Sequence, residues 1–126
     1  MKPAHRILLV DDDPAIRASL RFSLEMEGYR VTTFAAAEDL LALPHIARND
    51  CLVLDYRLPG MDGLELLDLL RQRGVTLPAV LITTTPSRRV RARAAAQGAT
   101  LIEKPLLCDG LSATIRDLCG ARARAA

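Results

Sequence analysis

The chain of 126 residues has no tryptophan and only 3% aromatic residues, two Tyr and two Phe. That scarcity argues against stacked aromatic platforms for single-stranded nucleic acid, and it requires a core built from Leu, Val, Ile and Ala. Cysteine is scarce and odd in number. Cys51, Cys108 and Cys119 show no CxxC spacing and sit in apolar surroundings, so they read as reduced, buried thiols and not as a disulfide framework or a zinc site. Long hydrophobic runs are missing too: the first, Ile7 to Val10, lasts four residues after a basic start and ends in three aspartates. It is neither a membrane span nor a signal peptide, and the cytoplasm is the expected location. No GxGxxG and no GxxxxGK[ST] occurs, so no bound nucleotide is implied. The two histidines, His5 near the start and His45 beside Pro44, read as surface residues, which speaks against a histidine phosphocarrier.

What is present fits one compact domain, with 50% apolar and 25% charged residues in a chain too short for two full domains. The net charge of +2 hides an asymmetry: residues 1–86 carry 9 basic and 12 acidic side chains, whereas 87–126 carry 8 basic and 3 acidic. Ligand-binding acids are therefore expected in the first part. The end, 120–126, fades into small and basic residues and reads as a tail or the start of a linker.

Two kinds of segment alternate along the chain. Short apolar runs at Ile7 to Val10, Val31 to Phe34, Cys51 to Leu54, Ala79 to Ile82 and Thr100 to Ile102 are too short for helices and read as strands. Between them, Ile16, Leu20 and Leu24 repeat before Gly28; Leu40, Leu41 and Leu43 lead to Pro44; Leu64, Leu67 and Leu70 precede Gly74. Further helices are expected from Ser87 to Gln97 before Gly98 and from Leu111 to Leu118 before Gly120, with glycine in the stop position. Continuous apolar strands are buried on both faces, so the order (βα)₅ implies an α/β fold with helices on both sides of a parallel sheet.

In such sheets ligands bind beyond the carboxyl ends of the strands. Those ends carry the polar residues: Asp11, Asp12 and Asp13 after strand one, Asp55 ending strand three, Thr83 strand four and Lys104 strand five. A cluster of hard oxygen ligands without Cys or His suits Mg²⁺ or Mn²⁺. A lysine ammonium and a hydroxyl beside it suit the oxygens of a phosphoryl group. With no cradle for ATP, the phosphoryl donor is expected to arrive from outside. Asp13 before Pro14 reads as a helix cap and not as a ligand, and Pro59-Gly60-Met61-Asp62-Gly63 reads as turn chemistry with Asp62 near a helix start.

Ile7-Leu8-Leu9-Val10-Asp11-Asp12-Asp13-Pro14, then Leu52-Val53-Leu54-Asp55 with Leu58-Pro59-Gly60-Met61-Asp62-Gly63, then Leu81-Ile82-Thr83, then Glu103-Lys104-Pro105 resemble the receiver domain of two-component response regulators. The likeness spans about residues 5–119 and takes in 1–126 as a single domain. It implies a flavodoxin-like doubly wound (βα)₅ sandwich with strand order 2-1-3-4-5. It also implies a signalling switch in which Asp55 accepts a phosphoryl group from a sensor histidine kinase or a histidine phosphotransfer protein. On that mapping Asp12 and Asp55 ligate Mg²⁺ directly, Asp11 through a water and Arg57 through its backbone carbonyl. Lys104 contacts the phosphoryl group, Thr83 moves to hydrogen-bond it, and the Lys104-Pro105 bond is expected to be cis. Turnover is limited to self-phosphorylation and self-dephosphorylation. Many members dimerise or meet an effector through the fourth helix, fifth strand and fifth helix, so a homodimer on that face is an expectation. The response is expected to come from a partner, a second copy or a further, DNA-binding domain.

Three positions depart from the family pattern. Leu101 stands where many receivers carry an aromatic three residues before the lysine, and Leu106 where Phe often follows Lys-Pro. Thr84 occupies a position that is usually small and is expected to crowd the entrance. Arg88, Arg89, Arg91 and Arg93 make the fourth helix basic; a solvated face is the first reading, and without a helix-turn-helix signature direct DNA reading is not expected. A haloacid-dehalogenase-like phosphohydrolase would use a similar set, but it needs a second Asp two residues after the nucleophile. Arg57 stands there and cannot protonate a leaving group at neutral pH.

Overall fold

The computed structural model describes residues 6–46, 50–104, 111 and 113–117. The expected histidine His5, the thiols Cys108 and Cys119, the Lys104-Pro105 bond and Leu106 lie outside the described residues, wholly or in one partner. The elements run β1 Arg6–Val10, α1 Pro14–Met26, β2 Arg30–Phe34, α2 Ala37–Leu41, β3 Cys51–Asp55, α3 Gly63–Gln72, β4 Ala79–Thr83, α4 Arg88–Ala96 and β5 Ala99–Glu103. Leu111 and residues 113–117 are helical after them. Every strand pair is parallel, and the order is β2-β1-β3-β4-β5, the flavodoxin-like arrangement.

Alternation along each inner strand sorts the apolar side chains into two cores. Leu8, Val10, Leu52, Leu54, Ala79 and Leu81 face Leu40 of α2 and Leu64, Leu67 and Leu70 of α3. Ile7, Leu9, Val53, Val80 and Ile82 face Leu24 of α1 and, from the last helical residues, Leu111 and Ile115. Burial on both faces holds for β1, β3 and β4 but not for the edge strands: β2 buries only Val31, and β5 is half-buried throughout except for exposed Glu103.

Local chemistry sets the helix ends. The Asp13 carboxylate accepts from the amides of Ala15 and Ile16 at 2.9 and 3.3 Å, with Pro14 opening α1, as the capping reading requires. Asp62 and Glu65 form a reciprocal capping box on α3. Ser87 caps α4 through the Val90 amide. Gly28, Gly74 and Gly98, with φ of +97°, +85° and +71°, follow α1, α3 and α4 as left-handed stops.

Asp55 and Thr83 end β3 and β4 as expected, and the ladder also continues through Arg6, Arg30 and Glu103, whose polarity conceals them from an apolar pattern. Lys104 accordingly follows β5 instead of ending it, its amide donating to the Thr83 carbonyl at 2.8 Å. Helix α2 stops at Leu41, earlier than a run to Pro44 suggests. A tight Leu43 N–H bond to the Leu40 carbonyl at 3.0 Å turns the chain before the proline, whose predecessor avoids the helical region.

The amino ends of the strands are held by polar clips. Arg6 grips the buried Asp50 carboxylate through Nη2 at 2.8 Å and Nε at 3.2 Å, and burial makes this two-pronged pair stronger than a surface bridge. The Asp50 carboxylate holds the Arg6 guanidinium above its ordinary value, against the opposing effect of burial. Removing one partner strands the other charge. An Asp50→Ala chain is expected to lose about 2 to 3 kcal/mol in urea denaturation, with an unchanged slope; a loss within error would show that the clip contributes nothing.

Candidate functional site

At the carboxyl ends of the strands three carboxylates meet. Asp11 follows β1, Asp12 lies beside it and Asp55 closes β3, and one carboxylate oxygen from each lies within 4.8 Å of the others. Asp11 and Asp55 are buried and Asp12 is exposed. The strand register explains the convergence, because β1 and β3 are adjacent with Val10 opposite Leu54, so the next residue of each strand projects together. Lys104 reaches in from beyond β5, its Nζ 3.2 Å from Asp55 Oδ1. Like charges this close repel, and an opposite charge beside Asp55 offsets part of that cost.

Thr83, at the end of β4, is buried, and its hydroxyl donates to the Thr84 carbonyl at 3.1 Å. Thr83 follows Ile82, the register partner of Asp55, and its hydroxyl proton is held within its own loop. Thr84 itself is exposed. Thr85 has φ of +38°, the one positive φ outside glycine among the described residues, a costly conformation for a β-branched side chain. Arg57 is exposed and lines a groove of about 480 Å³ with Asp12, Tyr56, Leu58, Pro59 and Asp62. The structure thus brings Asp11, Asp12, Asp55 and Lys104 together, with Thr83 and Arg57 at the margins. His45 is exposed and Cys51 fully buried, as read from the sequence.

The donor set fits a hard divalent cation. It is all oxygen, it concentrates negative charge that a cation would relieve, and the exposed Asp12 leaves one side accessible to solvent. Burial pushes the Asp11 carboxyl above its ordinary value, the neighbouring Asp55 charge adds to this, and a bond from the Asp13 amide at 2.9 Å opposes it.

Two residues at the site carry roles that the sequence pattern did not suggest. Gly63 opens α3 where its amide donates to the Tyr56 carbonyl at 2.8 Å; a Cβ there would lie 2.5 Å from the Asp55 carbonyl oxygen and 2.8 Å from Leu81 Cδ1. The turn reading was right about the loop but missed this close approach, which only the folded contact of α3 with β3 reveals. Arg17 of α1 donates through Nη1 to the Asp11 carbonyl at 2.8 Å. A spacing of six residues is not a helical neighbour relation, and so no periodicity signals it.

Gly63→Ala is expected to cost about 1 to 3 kcal/mol in urea denaturation and to shift the Asp55 amide resonance; an unperturbed Asp55 would contradict the close approach. A second expectation concerns pH in buffer free of divalent cations. Because the folded chain holds the Asp11 proton more tightly than the unfolded chain does, stability is lost as the pH rises above the ordinary value of 3.8. Asp11→Asn should therefore melt higher than the parent at neutral pH. The gain should shrink as the pH is lowered toward 3.8, and a gain independent of pH would rule this cause out.

The comparisons with known proteins agree with this geometry. The family model described as the response regulator receiver domain matches residues 7–116. The response regulator MprA of Mycobacterium leprae (strain TN) is 42% identical over 116 residues, covering 90% of this chain and 50% of that protein. MprA of Mycolicibacterium vanbaalenii is 40% identical over 114 residues, covering 90% of this chain and 49% of the relative. The chain spans about half the length of the curated relatives it matches. Among solved structures, the CheY-like response regulator receiver domain protein of Methanospirillum hungatei JF-1 superposes with a TM-score of 0.90 at 29% identity, over 98% of this chain and 100% of that one. On sequence, fold and the arrangement of strand-end residues together, the chain belongs to the response regulator receiver-domain family.

Proposed function

We propose that this domain is a phosphorylation-dependent switch in which Asp55 accepts a phosphoryl group from a phosphohistidine of a sensor histidine kinase or a histidine phosphotransfer protein. The observation that carries the reading is the Asp55 carboxylate, buried at the end of β3, 3.2 Å from the Lys104 ammonium and grouped with Asp11 and Asp12. An Asp55 oxygen forms the new bond to phosphorus as the phosphorus–nitrogen bond breaks, and the departing imidazole keeps the bonding pair and takes up a proton. Lys104 stays protonated and neutralises charge on the transferred oxygens. Thr83 gives up the Thr84 carbonyl and donates its hydroxyl to a phosphoryl oxygen, so the 3.1 Å bond seen here belongs to the unphosphorylated form.

Asp11, Asp12, Asp55 and the Arg57 carbonyl are the proposed holders of Mg²⁺, with Mn²⁺ as a substitute. When bound, the ion supplies Lewis-acid neutralisation of the carboxylate and phosphoryl oxygens. Self-phosphorylation from small donors and self-dephosphorylation belong to the same reading, as do a single domain over 1–126 and a cytoplasmic site of action, where a kinase has access to ATP. A homodimer through α4, β5 and the last helix is also part of it. Arg57, at the position where a haloacid-dehalogenase-like hydrolase places its general acid, gives that alternative no support.

Incubation with acetyl phosphate and Mg²⁺ should add one phosphoryl group per chain by intact mass, and Asp55→Asn should add none while keeping the fold by circular dichroism. Loading that persists in Asp55→Asn, or multiple-turnover release of product from aryl phosphates, would refute the switch.

A further inference from the structure

We propose that Arg17 is a positioning residue that locks the peptide plane between Asp11 and Asp12 and so holds both carboxylates in the geometry that takes a divalent cation. The inference rests on the cation site proposed above and adds to it a residue outside the acid cluster. Asp11 is tied on three sides. Its amide donates to the Phe34 carbonyl of β2 at 3.1 Å, its Oδ1 accepts from the Asp13 amide at 2.9 Å, and its carbonyl accepts from Arg17 Nη1 at 2.8 Å. The last of these matters most for Asp12. The Asp11 carbonyl and the Asp12 amide belong to one rigid planar unit, so fixing the oxygen fixes the direction in which the chain enters Asp12. Asp12 is exposed, and among the described residues no hydrogen bond or ion pair holds its side chain. Its placement is therefore set by its backbone.

Arg17 is well placed to act this way. It is half-buried on the first turns of α1, and its own amide donates to the Asp13 carbonyl at 2.9 Å, so one residue anchors the loop both before and after Asp12. Its guanidinium lies beside an acid cluster yet donates to a carbonyl and not to a carboxylate. Arg21, one turn further along, pairs with Glu25 at 3.3 Å instead.

A cation near a divalent-ion site has two effects of opposite sign. Its charge repels the ion, so removing it should tighten binding; its hydrogen bond orders the ligands, so removing it should loosen binding. The sign therefore separates positioning from electrostatics. Arg17→Ala is expected to weaken Mg²⁺ binding about tenfold by calorimetry, a typical effect of losing an outer support, and to weaken Mn²⁺ binding likewise by electron paramagnetic resonance. Arg17→Lys, which keeps one donor, should recover part of the loss. In the metal-free protein the Asp12 and Asp13 amide resonances should shift in Arg17→Ala. Arg21→Ala should leave affinity within twofold. Tighter or unchanged binding in Arg17→Ala overturns the proposal, as does an equal loss in Arg21→Ala. If Arg17→Ala fails to fold, Arg17→Met carries the same comparison. Absence of Mg²⁺ binding by the parent chain overturns the site itself, an outcome distinct from a parent that binds and an Arg17 variant that binds as well.

Discussion

Three carboxylates with oxygens within 4.8 Å of one another repel, and much of the local structure can be understood as the means of holding them there. The parallel sheet sets the place, because adjacent parallel strands end at the same edge and their next residues project together. Hydrogen bonds then set the orientation, through the Phe34 carbonyl, the Asp13 amide and the Arg17 guanidinium around Asp11. Lys104 supplies the opposite charge beside Asp55. The compensation is incomplete: burial, and after it the Asp55 charge, still drive Asp11 toward its neutral form. A site left short of positive charge in this way is one that gains from a cation or from a group that brings one.

The two ends of the sheet divide the work. At the amino ends, Arg6 and Asp50 form a two-pronged pair. Arg71 binds the carbonyls of Gln97, Val75 and Leu77 at 3.1, 3.0 and 2.8 Å, closing the carboxyl ends of α3 and α4 over the entry to β4. These contacts bind their partners within the fold. At the carboxyl ends the polar groups are close to one another but unequally satisfied. Thr83 turns its hydroxyl to its own loop, Thr85 sits in a strained backbone region, and Asp12 faces solvent. Strain and unsatisfied charge collect where chemistry is proposed, as expected when a stable scaffold holds a reactive edge.

The order of elements, the parallel sheet and the strand-end set were legible because each rests on a strong local signal. Those signals are five short apolar runs, glycine stops after α1, α3 and α4, and a polar residue directly after an apolar strand. Asp13 was legible as a cap for the same reason, since capping is chemistry between near neighbours, whereas Asp62 was legible only as a turn residue near a helix start. The full length of the strands was less legible, because Arg6, Arg30 and Glu103 join the ladder through backbone bonds that do not depend on their side chains. Edge burial was also less legible: threonines interrupt the runs of β2 and β5, but it is strand order that sets them at the edges. Gly63 and Arg17 lay furthest from view. One is dictated by a contact between α3 and the Asp55 backbone, the other by a bond from a helix side chain to a loop carbonyl, and neither leaves a periodic trace.

The charge asymmetry of the chain acquires a physical meaning in the fold. Helix α4 buries only Ala94, and its first turn carries arginines where a helix favours acids. Propensity and burial alone leave such a helix weakly held. Its partners are acids on neighbouring elements: Arg93 pairs with Asp68 of α3 at 3.1 Å, Gln97 donates to the same carboxylate, and Arg91 pairs with Glu103 of β5 at 2.9 Å. Helix α4 is thus tied to α3 and β5 by exposed and half-exposed ion pairs, each weak and screened by salt. Helix α4 begins five residues after Thr83 and ends on the Arg71 clamp. A change at the Thr83 loop therefore meets a helix that is firmly held at its far end and lightly held at its near one. Any phosphoryl-dependent shift has to be paid out of the difference in contacts between two states, and a lightly docked near end keeps that difference small.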